Sequence, residues 1–167
     1  MNNLFERIHS YDIFNCLYPG LLFCIFCDPN TQLKVIQLYD RSIVLAVVFC
    51  YAIGLFFDRL GALIVENFSR LVITHVLCSN FYIRNYEDFV KAKKSDKEIE
   101  ILSEKNNLYR NMVALFLGII IDNKFNGSED SLEYIFYGLI SIIFWISYFR
   151  QRKYIVKRID LIMNGTL

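Results

Sequence analysis

The chain has 167 residues, 55% hydrophobic and 16% aromatic, and its 18 basic and 17 acidic side chains leave a formal charge of +1. That balance excludes nucleic-acid binding by bulk charge, and the apolar content excludes a disordered chain. With 2 prolines and 7 glycines, turn chemistry is too sparse for a many-stranded fold, so the expected class is all-α.

The first apolar run, Ile13 to Cys27, is interrupted only by Asn15, and it contains Pro19-Gly20, which predicts a kink or a break in the helix. It has almost no basic n-region and no A-x-A-like site, so it is expected to stay in the mature chain. Ile43 to Phe57 carries no charge at all. A third run covers Met112 to Ile121 and extends back to Leu108, and a fourth, Leu132 to Phe149, is broken only by Glu133. These runs predict one polytopic membrane domain with about four spans, at residues 12–28, 42–65, 108–121 and 132–149. A cytoplasmic insert at 66–107 and a basic C-terminal tail at 150–167 complete it.

Each uncharged run is nearer ~15 residues than the roughly 20 that a bilayer core requires, so a soluble bundle burying all four is the competing reading. The membrane reading is favoured by the flanks. Tyr11, Tyr18, Tyr109, Tyr134, Tyr148 and Trp145 suit an interfacial belt, and long basic side chains can reach headgroups from the span ends. Four spans place both termini and the insert on one side. That side collects 15 of the 18 basic residues, leaving Lys34, Arg41 and Lys124 opposite, so both termini are expected in the cytoplasm.

In the insert, residues 60–72 look helical, with Glu66 four positions before Arg70. Tyr86 to Lys94 reads as a short helix, and Ser95-Asp-Lys-Glu98 has the S-x-x-E pattern of a capping box starting the next. Together they predict a helical hairpin. Phe89, Ile99, Ile101 and Leu102 are its apolar points, candidates for docking a cytosolic partner or for packing within the hairpin itself.

Asp58, Arg59, Arg110 and Asn111 are polar positions at the inner ends of spans two and three, where unpaired charge is costly. Asp58 and Arg110 are expected to pair across antiparallel neighbours. Snorkelling boundary charges and a gate or ion path are the alternative readings. Gly54, Gly61, Ala114, Gly118 and Gly138 mark places for close helix approach, within one bundle or between copies, and homo-oligomerisation is expected on those grounds. Asp122, Glu129 and Asp130 read as a solvated outer turn around Asn126.

The five cysteines form an odd set and read as reduced packing residues. Cys24-x2-Cys27 is half of a zinc site without a second half, so no metal and no cofactor are expected. No paired carboxylates on an apolar helix face, P-loop, G-x-S-x-G or H-E-x-x-H is present, and the expected reading is non-enzymatic. Arg70-x4-His75 has a spacing that resembles the RNA-cleaving motif of HEPN ribonucleases; the match is two residues, with an interfacial Arg and His as the alternative.

Tyr11-Asp-Ile-Phe-Asn-Cys-Leu-Tyr-Pro-Gly20, Tyr86-Glu-Asp-Phe89 and Ile101-Leu-Ser-Glu-Lys-Asn-Asn-Leu-Tyr-Arg110 resemble segments of small bacterial inner-membrane proteins. The layout most resembles the membrane subunit of the Kiwa antiphage system, and next the membrane accessories of RNA-targeting CRISPR systems. The resemblance implies antiviral defence at the bacterial inner membrane, with this chain as sensor, anchor or pore beside a cytosolic nucleic-acid-acting effector. It implies the bilayer and that effector as partners, with no direct nucleic-acid contact. No catalytic residue carries over; Arg70 and His75 would fit the CRISPR accessories, described as having a divergent HEPN-like motif.

Overall fold

The computed structural model describes residues 12–76, 86–126 and 131–164, without the side chains of Asp12, Phe14 and residues 73–76. All secondary structure among the described residues is helical. The chain enters through a π-helical turn, Asp12–Leu17, that continues into α1, Tyr18–Phe26. Pro19 lies in the first turn of α1, where its missing N–H is best tolerated. The expected break at Pro19-Gly20 is therefore corrected, since the irregular turn lies just before the proline and α1 runs through both residues.

The connection after α1 is itself a helix, α2, Pro29–Arg41. Asp28 caps it by accepting from the backbone N–H groups of Asn30 and Thr31, and Pro29 supplies the preset φ of a first helical position. Next come α3, Ile43–Leu60, a second π turn, Gly61–Val65, and α4, Glu66–Val76, as one uninterrupted helical path. The insert expected from residue 66 thus begins as a continuation of the second apolar helix.

Helix α5, Tyr86–Ser95, leads to α6, Lys97–Phe125, and α7, Ser131–Met163, completes the chain. The N-cap of α6 is Asp96, whose side chain accepts from Glu98 N; Ser95 Oγ instead donates back to Lys91 O and Ala92 O. The Ser95 capping box is corrected by one residue, because the aspartate competes successfully for the cap. Helices α6 and α7 pair antiparallel along most of their lengths, with Phe116 stacked on Phe144 at 5.9 Å and Gln151 Nε2 donating to Leu102 O at 3.3 Å. The tail from residue 150 continues as helix through Met163.

Two cores result. The larger gathers Phe57, Val65, Val113, Leu115, Phe116 and Ile119 around the middle of α6, where every residue from Arg110 to Phe116 is buried. The smaller joins Ala92, Ile99, Ile155 and Ile159 at the ends of α5, α6 and α7. The outward faces of α3 and α7 are the reverse of a soluble surface: Val44, Val47, Val48 and Phe56 on one, Ile135, Leu139, Ile143 and Ile146 on the other, are exposed. Two helices, Ile43–Val72 and Ser131–Met163, are long and apolar enough to cross a membrane; Asn15–Phe26 is apolar but shorter.

Glycines set how closely α3 meets its neighbours. A Cβ on Gly20 would run into the backbone carbonyl of Cys50, and one on Gly54 into that of Cys16, so the two helices touch backbone to backbone. Gly61 lies under Asn111 and Arg110, Gly118 faces the Phe57 ring, and Ala114 is buried in the larger core. Gly138 departs from the expectation of close packing within the bundle, since nothing lies within 4 Å of a Cβ placed there. Gly54→Ala should therefore destabilise the protein by about 1–3 kcal/mol through overpacking. Gly138→Ala should leave the melting temperature in detergent unchanged or raise it, and equal losses in both variants would contradict this packing.

Candidate functional site

The most polar part of the interior starts from a proline. Pro19 has no N–H to offer the carbonyl four residues earlier, that of Asn15, and Asn111 Nδ2 donates to that oxygen from α6 at 2.9 Å. The same amide nitrogen lies 3.1 Å from Asp58 Oδ1 on α3. Arg110 Nη2 donates to Asp58 Oδ1 at 2.9 Å, and its Nη1 to Glu66 Oε2 at 3.2 Å. Arg152 Nη2 stands 3.9 Å from the other Glu66 oxygen. Two carboxylates and two guanidiniums thus form a charge-balanced chain from α3 through α6 and α4 to α7.

The second π turn makes this possible. Eight residues separate Asp58 from Glu66, and in an uninterrupted α-helix that spacing would set their side chains about 80° apart. A π turn takes in one extra residue, so the separation acts like seven, close to two turns of 3.6. Both carboxylates then face Arg110 from one side of the helix. Asp58 and Arg110 are nearly closed to solvent, with side chains 9% and 10% exposed, and Asn15 and Asn111 are more deeply buried.

Of the four polar positions singled out from the sequence, Asp58, Arg110 and Asn111 come together, whereas Arg59 is exposed on the other side of α3. Sequence reasoning missed Asn15, Glu66 and Arg152 as members. The proline four residues after Asn15 was the available signal for the first. The π turn that recruits Glu66 leaves no such mark. Chemically the cluster is an electrostatic lock: the charges are internally matched, and no nucleophile and base are set beside a substrate-sized opening. The amide oxygens of Asn15, Asn106 and Asn111 are buried without a hydrogen-bond partner among the described residues, which keeps this region polar inside an apolar shell.

Arg70 is exposed on α4, and the side chain of His75, the other half of the R-x4-H spacing, lies outside the described residues. The hairpin points expected to dock a partner are largely used internally. Ile99 is fully buried in the smaller core, Phe89 and Leu102 pack against it, and Ile101 alone of the four is 50% exposed. For Ile99, Phe89 and Leu102 this matches the alternative of packing within the hairpin, because α7 extends far enough to cover it, and Ile101 stays open. Arg158 of α7 clips it, with Nε 2.6 Å from Asp96 Oδ2 and an ion pair to Glu98. The Arg158 hydrogen bond, helped by the Glu98 N–H, holds the Asp96 carboxyl below the usual carboxylate range.

Cys24 Sγ and Cys50 Sγ lie 3.6 Å apart where α1 meets α3, and Cys27 Sγ is 3.6 Å from Cys24 O. Among the described residues no three His, Cys, Asp or Glu side chains converge as metal ligands. Compared with known proteins, the chain matches no family model, and no curated protein or solved structure is significantly similar to it.

Removing one partner from the lock should cost more than removing charge from the pair as a whole. Arg110→Met leaves the buried Asp58 without its cation and Glu66 with only the longer contact to Arg152, and should lose about 3–5 kcal/mol in detergent unfolding, with Asp58→Leu/Arg110→Met recovering part of the loss. At the hairpin, a carboxyl whose folded pKa is depressed stabilises above its unfolded value near ~3.9, and that stabilisation disappears as pH falls through the lower folded value. Hydrogen exchange in residues 86–107, corrected for the intrinsic rate, should therefore accelerate as pH drops below about 4, and Asp96→Asn should remove the pH step.

Proposed function

We propose that this chain is a non-enzymatic integral protein of a bacterial inner membrane, crossing the bilayer four times with both termini in the cytoplasm. Its inner end, built from α5 and the adjoining ends of α6 and α7, serves as the sensor or anchor element for a cytosolic effector. The observation that carries this reading is the distribution of polarity. The apolar windows of the Ile43–Val72 helical path and of α7 are only 28% and 17% buried, while Asn106, Arg110 and Asn111 in the middle of α6 are buried. In water such faces would form an aggregation-prone patch; in lipid they meet their own kind.

The same distribution explains how α6 can cross without looking like a membrane helix. Arg110, Asn111 and Asn106 depress its hydropathy, yet all three are buried, and Arg110 and Asn111 bond to partners within the bundle rather than facing acyl chains. Trp145, hydrogen-bonded to Ser69 Oγ at 2.9 Å and stacked on Phe68, suits the inner interface. The excess of Lys and Arg around the hairpin and the end of α7 supports the orientation.

Self-assembly belongs to this proposal, and the apolar groove of about 460 Å³ beside the open Gly138 is the feature that favours it. Antiviral defence, with a nucleic-acid-acting effector as partner, comes from the resemblance to the Kiwa and CRISPR-associated membrane proteins. A sensor or anchor is preferred to a pore because the charged cluster is paired within one chain, whereas a conducting path needs polar groups that keep water along its length.

Alkaline extraction with topology fusions tests the proposal. The chain should remain with membranes, an alkaline phosphatase fused after Asn126 should be active, and one fused after Met163 inactive. Release into the soluble fraction, or activity at Met163, would overturn it.

A further inference from the structure

The outer end of the bundle holds a polar pocket of about 560 Å³ that the buried lock does not involve. It lies between the end of α1, the start of α2 and the facing ends of α6 and α7, with Asp28, Gln32, Asn123, Asn126, Glu133 and Tyr137 in its wall. We propose that it binds an organic ammonium cation. On the topology proposed above it opens to the non-cytoplasmic side.

The pocket's charge points to a cation. Asp28 and Glu133 line it, and Asp122 stands directly behind, its Oδ2 accepting from Asp28 N at 3.1 Å. Helices α1 and α6 both end here, so two sets of terminal carbonyls add partial negative charge. The opposing positive end of α2 is already met by Asp28, which accepts from Asn30 N at 2.7 Å, Thr31 N at 3.2 Å and Thr31 Oγ1 at 2.6 Å. Asn126 Nδ2 donates both to Asp28 Oδ2 at 3.1 Å and to Asp122 Oδ1 at 3.2 Å, so this acidic pair is held in place before any ligand arrives.

Asn123 is the independent indication that something binds. The residue is only 5% exposed and its side chain has no hydrogen-bond partner among the described residues, yet it lines the pocket. A buried amide left unmatched costs free energy that a ligand can return. Gln32 spends its Nε2 on Ile25 O and Cys27 O, so its Oε1 remains as an acceptor in the same wall. The wall therefore offers more acceptors than donors, which suits N–H groups on a cation.

An organic cation is favoured over a metal ion for two reasons. Among the described residues, no three carboxylate, imidazole or thiol ligands converge. One side of the pocket is apolar, with Ile25 in its wall and Phe26 meeting Tyr137 edge-on at 6.3 Å, so a hydrocarbon body and an aromatic face await the ligand beside the carboxylates. The volume falls within the range of roughly 300–1,000 Å³ for small-molecule sites.

Calorimetric titration of the full chain in detergent with phenethylammonium and with putrescine tests the inference, with neutral 2-phenylethanol as control. Saturable binding of at least one amine is expected, weakened about tenfold or more in Glu133→Gln and in Asn123→Leu. Glu133 is exposed, so its variant keeps the fold and separates lost binding from lost structure. Binding of neither amine, equal binding of 2-phenylethanol, or unchanged affinity in both folded variants would overturn the inference. Because binding is read on the purified chain, its failure is independent of the topology fusions.

Discussion

Arg110 is shared by Asp58 and Glu66, and the arrangement of the bundle depends on that sharing. The guanidinium is planar and always charged, so burying it demands acceptors at fixed angles. Two of them come from a single helical path, α3 to α4, and a third polar anchor, Asn111, joins the first helix through the Asn15 carbonyl. Once α6 carries these contacts, the other helices must surround it. The order of layers follows: α6 inside, α1 and α3 on one side, α7 on another.

Each irregularity in the backbone has a role in this arrangement. Pro19 leaves a carbonyl that Asn111 satisfies, and the π turn at Gly61–Val65 rotates Glu66 into line with Asp58. Gly61 lets α6 come close enough for both contacts, since a Cβ there would stand 3.1 Å from Asn111 Oδ1. Gly20 and Gly54 do the same for α1 against α3. These features would look like defects if read one at a time; together they allow charged groups to be enclosed while the outer faces stay apolar.

The two ends of the bundle differ in character. At one end α5 and the ends of α6 and α7 build a second small core clipped by Arg158, a soluble-like module of ordinary amphipathic helices. At the other end Asp28 and Asp122 meet across the chain and form an acidic pocket with an unmatched amide. Between them lies the lock.

Composition and hydrophobic runs were enough to predict an all-helical chain, the positions of its apolar segments and the meeting of Asp58 with Arg110, because burial of charge and of hydrocarbon is decided by residue type at each position. The helix at Pro29–Arg41 was legible too, in the Asp-Pro start, although it was read as a connection. What only the tertiary structure decided depends on phase and approach. Glu66 joins Arg110 through one inserted residue in a helix, Ile99 is covered by a distant stretch of α7, Gly138 is left open, and residues 25–32 meet 122–137 around a pocket. Helical rotation and the spacing between axes are properties of several segments at once, so no single run of sequence encodes them.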